Sequence, residues 1–238
     1  MIPYYIIGLQ EGEDLRMGRN MKKLLLLGLI VLLVAGMSAC GGSGFSENER
    51  EQIVDQVEKL ETAEYKLLHF QMDYPEYLAE VGGIVSESYM QAMSDRIIFG
   101  YNEKEYRASD MIEMSAEEYE KHKEHMRGLV KSLGMNEEKA SIRISDPYES
   151  DQSGEVLVYA SESRELKGKT LTQMNRRYSL DKTEGSWVIT AVEQDKVTIG
   201  SDETEMDAEA KLDALKYRTH EGVDVQYRDK ILTFEGWE

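Results

Sequence analysis

The sequence contains a single cysteine, Cys40, among 238 residues, so no disulfide can form within the chain. Outside a reducing compartment the fold must therefore be held by its core alone, and a free thiol there is a liability unless something consumes it. Basic residues are also scarce: 28 against 46 acidic ones, a net charge of −18. Without residues 1–39 the balance is 24 against 43, or −19. Such a surface repels phosphate backbones and anionic head groups, which argues against nucleic acid as a partner and against charge-driven membrane binding. Solubility is explanation enough for the acidity.

Motifs of covalent and nucleotide chemistry are missing as well. There is no Gly-x-Ser-x-Gly elbow, Walker-type loop or dinucleotide glycine fingerprint. The histidines number four. His122 and His125 lie three apart, with Glu118 four residues before the first, whereas zinc-binding helices pair histidines at i, i+4 and add a third ligand. They read as titrating groups on a surface helix. The acidic run Asp202, Glu203, Glu205, Asp207 and Glu209 lacks the glycine and the spacing of an EF-hand loop, and reads as solvated chain. With so many acids, chance carboxylate neighbours carry no evidence for acid–base work. No catalytic residue, metal site or cofactor is expected.

One long apolar run is present. Met21-Lys22-Lys23 begins it with positive charge, Leu24 to Ala35 is apolar apart from Gly28, and the small residues Ser38 and Ala39 precede Cys40. These are the n-region, h-region and cleavage site of a secretory signal over 21–39. The uncharged stretch Leu24–Ala39 has 16 residues, short of the roughly 20 that span a bilayer as a helix. Met37-Ser38-Ala39-Cys40 resembles the lipobox of bacterial lipoproteins, with Met37 where that family usually has Leu. The resemblance implies cleavage before Cys40 and lipidation of its thiol. The protein would then be anchored on the extracytoplasmic face of the cell membrane. Gly41-Gly42-Ser43-Gly44 reads as a flexible tether within 40–46. An uncleaved signal anchor and a buried core helix are the alternatives. Residues 1–20 are read as an over-long start ahead of Met21 and are left out of the fold.

Past the tether, Ser46 and Glu49 form a capping-box pattern, and Ile53, Val57, Leu60, Tyr65, Leu68 and Met72 recur at helical spacing to about residue 73. Pro75 ends this helix or opens the next, a weaker pattern over 75–94 interrupted by Gly82-Gly83. Ile97, Phe99 and Tyr101 suggest a short strand, and Ser115 to Glu118 a second capping box opening a helix that Gly134 stops. The period then changes to two. Ala140–Ile144, Val156–Ala160, Thr170–Leu180 and Trp187–Val192 alternate with short turns between them, which predicts an antiparallel meander. After residue 200 the acidic run leads into a short helix through Leu212 and Leu215. A strand over Val223–Tyr227 follows, with Ile231–Phe234 as its hairpin partner.

Helices first and then a curved antiparallel sheet define an α+β class. With Gly185, Trp187 and Ile189 following a long strand that carries Arg176, Arg177 and Tyr178, the order resembles the cystatin-like, NTF2-like cone over 47–200. The resemblance implies helices packed on a bent sheet with a pocket or assembly surface between, and leaves 201–238 as a C-terminal extension. It implies no activity, because that fold carries binders and enzymes alike. The leading expectation is a non-catalytic binding or assembly module whose partner is an envelope protein or small ligand. Alternatives are an NTF2-like enzyme with a polar pair inside the cone, and a regulatory subunit of an envelope complex contacting through the tail. Tyr159, Tyr178 and Trp187 are the candidate ligand or interaction residues.

Overall fold

The computed structural model describes residues 44–101, 104–151, 153–200, 203–217, 219–220 and 223–237. The signal segment, the lipobox residues Met37, Ser38 and Ala39, and Cys40 itself lie outside the described residues. Among the described residues no helix is long and apolar enough to cross a membrane.

Helix α1 (Glu47–Leu68) starts where its capping box requires. Ser46 Oγ accepts from the Glu49 amide at 3.3 Å, while the Glu49 carboxylate accepts from the Ser46 amide at 3.2 Å. Ile53, Val57, Leu60 and Leu67 share one stripe and are fully buried. Asp73 and Glu76 form a second capping box, with Pro75 in the first turn of α2 (Tyr74–Val81), so the proline opens a helix. Gly82 closes α2, and Ser86 caps α3 (Glu87–Ser94), which makes two short helices of the weak pattern over 75–94. Strands β1 (Ile97–Tyr101) and β2 (Lys104–Arg107) form their own antiparallel pair, and a 3-10 turn (Ala108–Ile112) leads to α4 (Ala116–Ser132).

The main sheet is built from β3 (Lys139–Ser145), β5 (Val156–Leu166), β6 (Lys169–Thr183) and β7 (Ser186–Thr198), with the two-residue β4 (Tyr148–Glu149) beside β5. The four long strands run as the expected antiparallel meander. The β6–β7 turn places Glu184 and Gly185 both at positive φ (52° and 88°), the requirement of a two-residue hairpin loop that follows strand twist. One face of the sheet presents Ile142, Ile144, Val158, Tyr178, Leu180 and Ile189 to the helices, and this is the main core. The architecture is α+β, with helices packed on one face of a large antiparallel sheet.

Two expectations need correction. A register shift between Ser179 and Leu180 moves β7 out of simple alternation, so Ala191 is exposed instead of continuing the buried series of Trp187 and Ile189. The second concerns the tail, read as an extension ending in a local hairpin. Helix α5 (Glu205–Asp213) buries none of its residues, but the final strand does not stay with it. Val223–Asp224 (β9) pairs with Thr219–His220 (β8), while β10 (Tyr227–Glu235) pairs with β3 and completes the sheet order β10-β3-β5-β6-β7. The open edge of β3 pairs in continuous register with Ile231–Glu235, and Leu232 and Phe234 fall opposite Ile142 and Ala140, so their side chains join the main core. Phe234 stacks on Tyr65 at 4.2 Å, and Trp237 lies 4.9 Å from the His69 ring at the end of α1.

The tail is therefore part of the sheet, and a chain truncated after Gly200 is expected to lose cooperative thermal unfolding. The milder Phe234→Ala should lower stability by roughly 2 kcal/mol, below the 3–5 of a fully buried ring, because Phe234 is only partly covered. A truncated chain melting like the intact one would show that β10 is dispensable.

Candidate functional site

The interior between α1 and the sheet is not wholly apolar. On α1, Glu61 and Glu64 stand one turn apart on the buried stripe. On β6, Arg176 alternates into the same face as Tyr178, and on β5 Glu162 lies two residues beyond Ala160. All are buried, so each charge must find partners. Arg176 Nη1 donates to both Glu61 oxygens, at 3.1 and 2.8 Å, and Nη2 donates to Glu162. Tyr178 Oη donates to Glu61 at 2.8 Å. The second Glu162 oxygen accepts from Arg164 Nε, and Arg164 also reaches Glu138 at 3.5 Å. A neighbouring triad completes the set: Tyr89 Oη donates to Glu64 at 2.6 Å, and Arg96 Nη1 donates to it at 3.0 Å.

The two inner carboxyls are driven apart. Burial is the largest influence on Glu61 and lifts it to about 7, with Arg176 only partly offsetting it. Burial also acts against ionisation of Glu162, but Arg176 and Arg164 together outweigh it and hold this group at about 2. Arg176 has one charge to divide between two carboxyls, and Glu162 has a second guanidinium besides. Of the pair, Glu61 is therefore the carboxyl that takes a proton first as pH falls. Burial raises Tyr178 well above the ordinary phenol, and the charge of Glu61 adds to the rise. His69, at the end of α1, is held down to about 4 by burial, although its Nδ1 lies 2.7 Å from the Tyr65 carbonyl.

A groove of about 510 Å³ opens beside the second triad, between α3 and β7, and Glu64, Tyr89 and Arg96 are among its lining residues. The three residues singled out from sequence do not converge on it. Tyr178 is buried under α1 as a donor to Glu61. Tyr159 lies on the opposite sheet face, in a small cluster with Leu157 and Val225. Trp187 is buried at the start of β7, edge-on to Phe45 at 5.8 Å. All three side chains are buried, because in-register side chains of a covered sheet become core. His122 packs against Phe99 and Tyr106, with ring centroids 4.8 and 4.7 Å away, on the β1–β2 pair. Among the described residues no three His, Cys, Asp or Glu side chains are grouped to hold a metal ion.

The residues that sequence reasoning passed over are Glu61, Glu64 and Glu162, and Arg176 was noted there only as part of the long strand. Their signal was phase: each charge sits where the helical or strand period demands an apolar residue. No family model, curated protein or solved structure matches this chain.

The opposed shifts give a pH prediction. Glu61 binds its proton more tightly folded than unfolded, so its contribution to stability falls as pH rises from 4.5 to about 7. His69 does the reverse: its contribution is complete above 6.5 and is lost as pH falls toward about 4. Between pH 5 and 6.5 the two slopes, each up to about 1.4 kcal/mol per pH unit, oppose one another in the wild type. Urea unfolding should show Glu61→Gln gaining stability with rising pH across this window, and His69→Phe losing it. Slopes of the same sign in both variants would refute the assignment. Arg176→Met, which strands two carboxyls without their shared cation, should destabilise by about 3–5 kcal/mol.

Proposed function

We propose that the chain is a bacterial lipoprotein, lipidated at Cys40 and held on the extracytoplasmic face of the cell membrane, where its NTF2-like domain serves as a non-catalytic binding or assembly module. The observation that carries this reading is the continuity of signal, cysteine and fold. A charged start and a 16-residue uncharged stretch end at Cys40, and the capping residue Ser46 begins α1 only six positions later. The start of the fold is itself fastened to the sheet. Phe45 packs on Trp187, and Glu49, the capping carboxylate, accepts from Lys182 Nζ at 2.9 Å at the β6–β7 turn.

The cone is supported by helices on one sheet face, by the register shift in the β6–β7 pair, and by Gly185, Trp187 and Ile189 at the turn and start of β7. A module that binds, as opposed to one that reacts, is favoured by how the interior charges are used. Glu61 titrates near neutrality, as a catalytic acid would, yet both its oxygens already accept from Arg176 and Tyr178. The alternative of a regulatory subunit docking through 201–238 loses its simplest test, since removing that tail also removes β10 from the sheet.

Intact-mass analysis of the membrane fraction, comparing wild type with Cys40→Ser, tests the anchor. The expected wild-type mass is that of a chain beginning at Cys40 plus acyl groups, absent in the variant. An uncleaved wild-type chain, or equal masses apart from the substitution, would replace the lipoprotein reading with a signal anchor over Leu24–Ala39.

A further inference from the structure

The groove between α3 and β7 lies against an edge of the sheet that is only half covered. β7 is the last strand in the sheet order. Among the described residues its outer edge is paired at one place, where Ile84–Ser86 runs parallel to it. There the Ile189 amide donates to the Ile84 carbonyl at 2.9 Å, and the Ser86 amide donates to the Ile189 carbonyl at 2.9 Å. Ser86 then caps α3, and the chain turns away. From Ala191 the strand continues without that neighbour, and Ala191, Val192 and Gln194 are exposed. The residues of α3 that line the groove opposite this edge are Ser88, Tyr89, Ala92 and Met93, so most of that wall is apolar. An extended backbone laid in line with Ile84–Ser86 would thus find a strand to pair with and a wall to pack on.

We propose that this edge is a strand-addition site for an extended segment of a basic partner protein, one in which Lys or Arg alternates with aliphatic residues. The inference rests on the reading of the chain as a binding module and names the site through which it binds. Backbone pairing along Ala191–Gln194 covers about 13 Å, four residues of strand. Alternate side chains of the added segment point toward the helices, where Ala92, Met93 and Val192 take an aliphatic stem and Glu64 and Asp95 lie among the groove's lining groups. Arg96 already holds Glu64 at 3.0 Å and Arg107 lies 3.7 Å from Asp95, so the charge complementarity comes from the domain as a whole. A net charge of −18 draws in a basic segment and repels a second copy of the same chain. Edge strands exposed in this way are ready templates for pairing.

Hydrogen exchange read by mass spectrometry on the full-length chain in detergent tests the site with the synthetic heptapeptide Lys-Val-Lys-Val-Lys-Val-Lys. Its Glu/Val counterpart and a backbone N-methylated version serve as controls. The expected result is exchange about tenfold slower across 188–197 with the Lys/Val peptide alone, lost in Ala92→Phe, which fills the groove without altering β7. No protection, protection elsewhere, or equal protection by the N-methylated peptide would overturn the proposal. So would protection of 188–197 that rises with protein concentration and needs no peptide, which would make a second copy the occupant. The mass of Cys40 is read on the same preparation. An acylated chain that ignores the peptide refutes the groove alone, and a protected chain without acyl groups refutes the anchor alone.

Discussion

Arg176 is the tie on which the rest of the structure depends. It stands on the longest strand of the sheet, and its guanidinium reaches α1 through Glu61 and β5 through Glu162. Hydrophobic contacts fix the distance between a helix and a sheet but only weakly fix how far the helix slides along it. A buried fork with two carboxyl partners has few equivalent positions, so it sets the register of α1 on the strands. Ionic groups of this kind add little net stability over an apolar replacement, but losing one member strands the others. Their cost limits which states the fold can adopt more than it strengthens the native one.

The same network explains why the interior carboxyls differ in their hold on a proton. Four carboxyls, Glu61, Glu64, Glu138 and Glu162, share three guanidiniums, those of Arg96, Arg164 and Arg176. Burial raises both Glu61 and Glu138, whereas Glu162, with two arginines, stays ionised. Near the other end of α1, His69 is kept neutral among Tyr65 and Trp237. The tail thus meets α1 through aromatic faces, and the central strands meet it through both the apolar core and the Arg176 charge network.

The sheet has two edges, and the chain treats them differently. The edge at β3 is closed by β10, which brings Leu232 and Phe234 into the core. The edge at β7 is closed for a few residues by Ile84–Ser86 and then, among the described residues, left open beside a groove lined by apolar and charged side chains. One edge is thereby committed to folding, and the other retains the capacity to pair.

Local signals in the sequence settled the ends of most elements. The capping boxes at Ser46 and Ser115, the proline opening α2 and the glycine turn before Trp187 all act over a few residues, so reading them needs no partner. Period-two runs likewise determined the meander, because short turns leave neighbouring strands little choice but to pair antiparallel. Tertiary structure alone decided where β10 went, since a strand pairs with whichever edge is open, and the β3 edge lies some 90 residues away in the sequence. It also decided the fate of Tyr159, Tyr178 and Trp187: alternation says that they share or oppose a face, but only the packed helices and tail show both faces to be covered. The charges of Glu61 and Arg176 were visible in the sequence as breaks in an apolar phase. That the two breaks meet 2.8 Å apart is a property of how α1 lies on β6, a long-range fact that no local pattern carries.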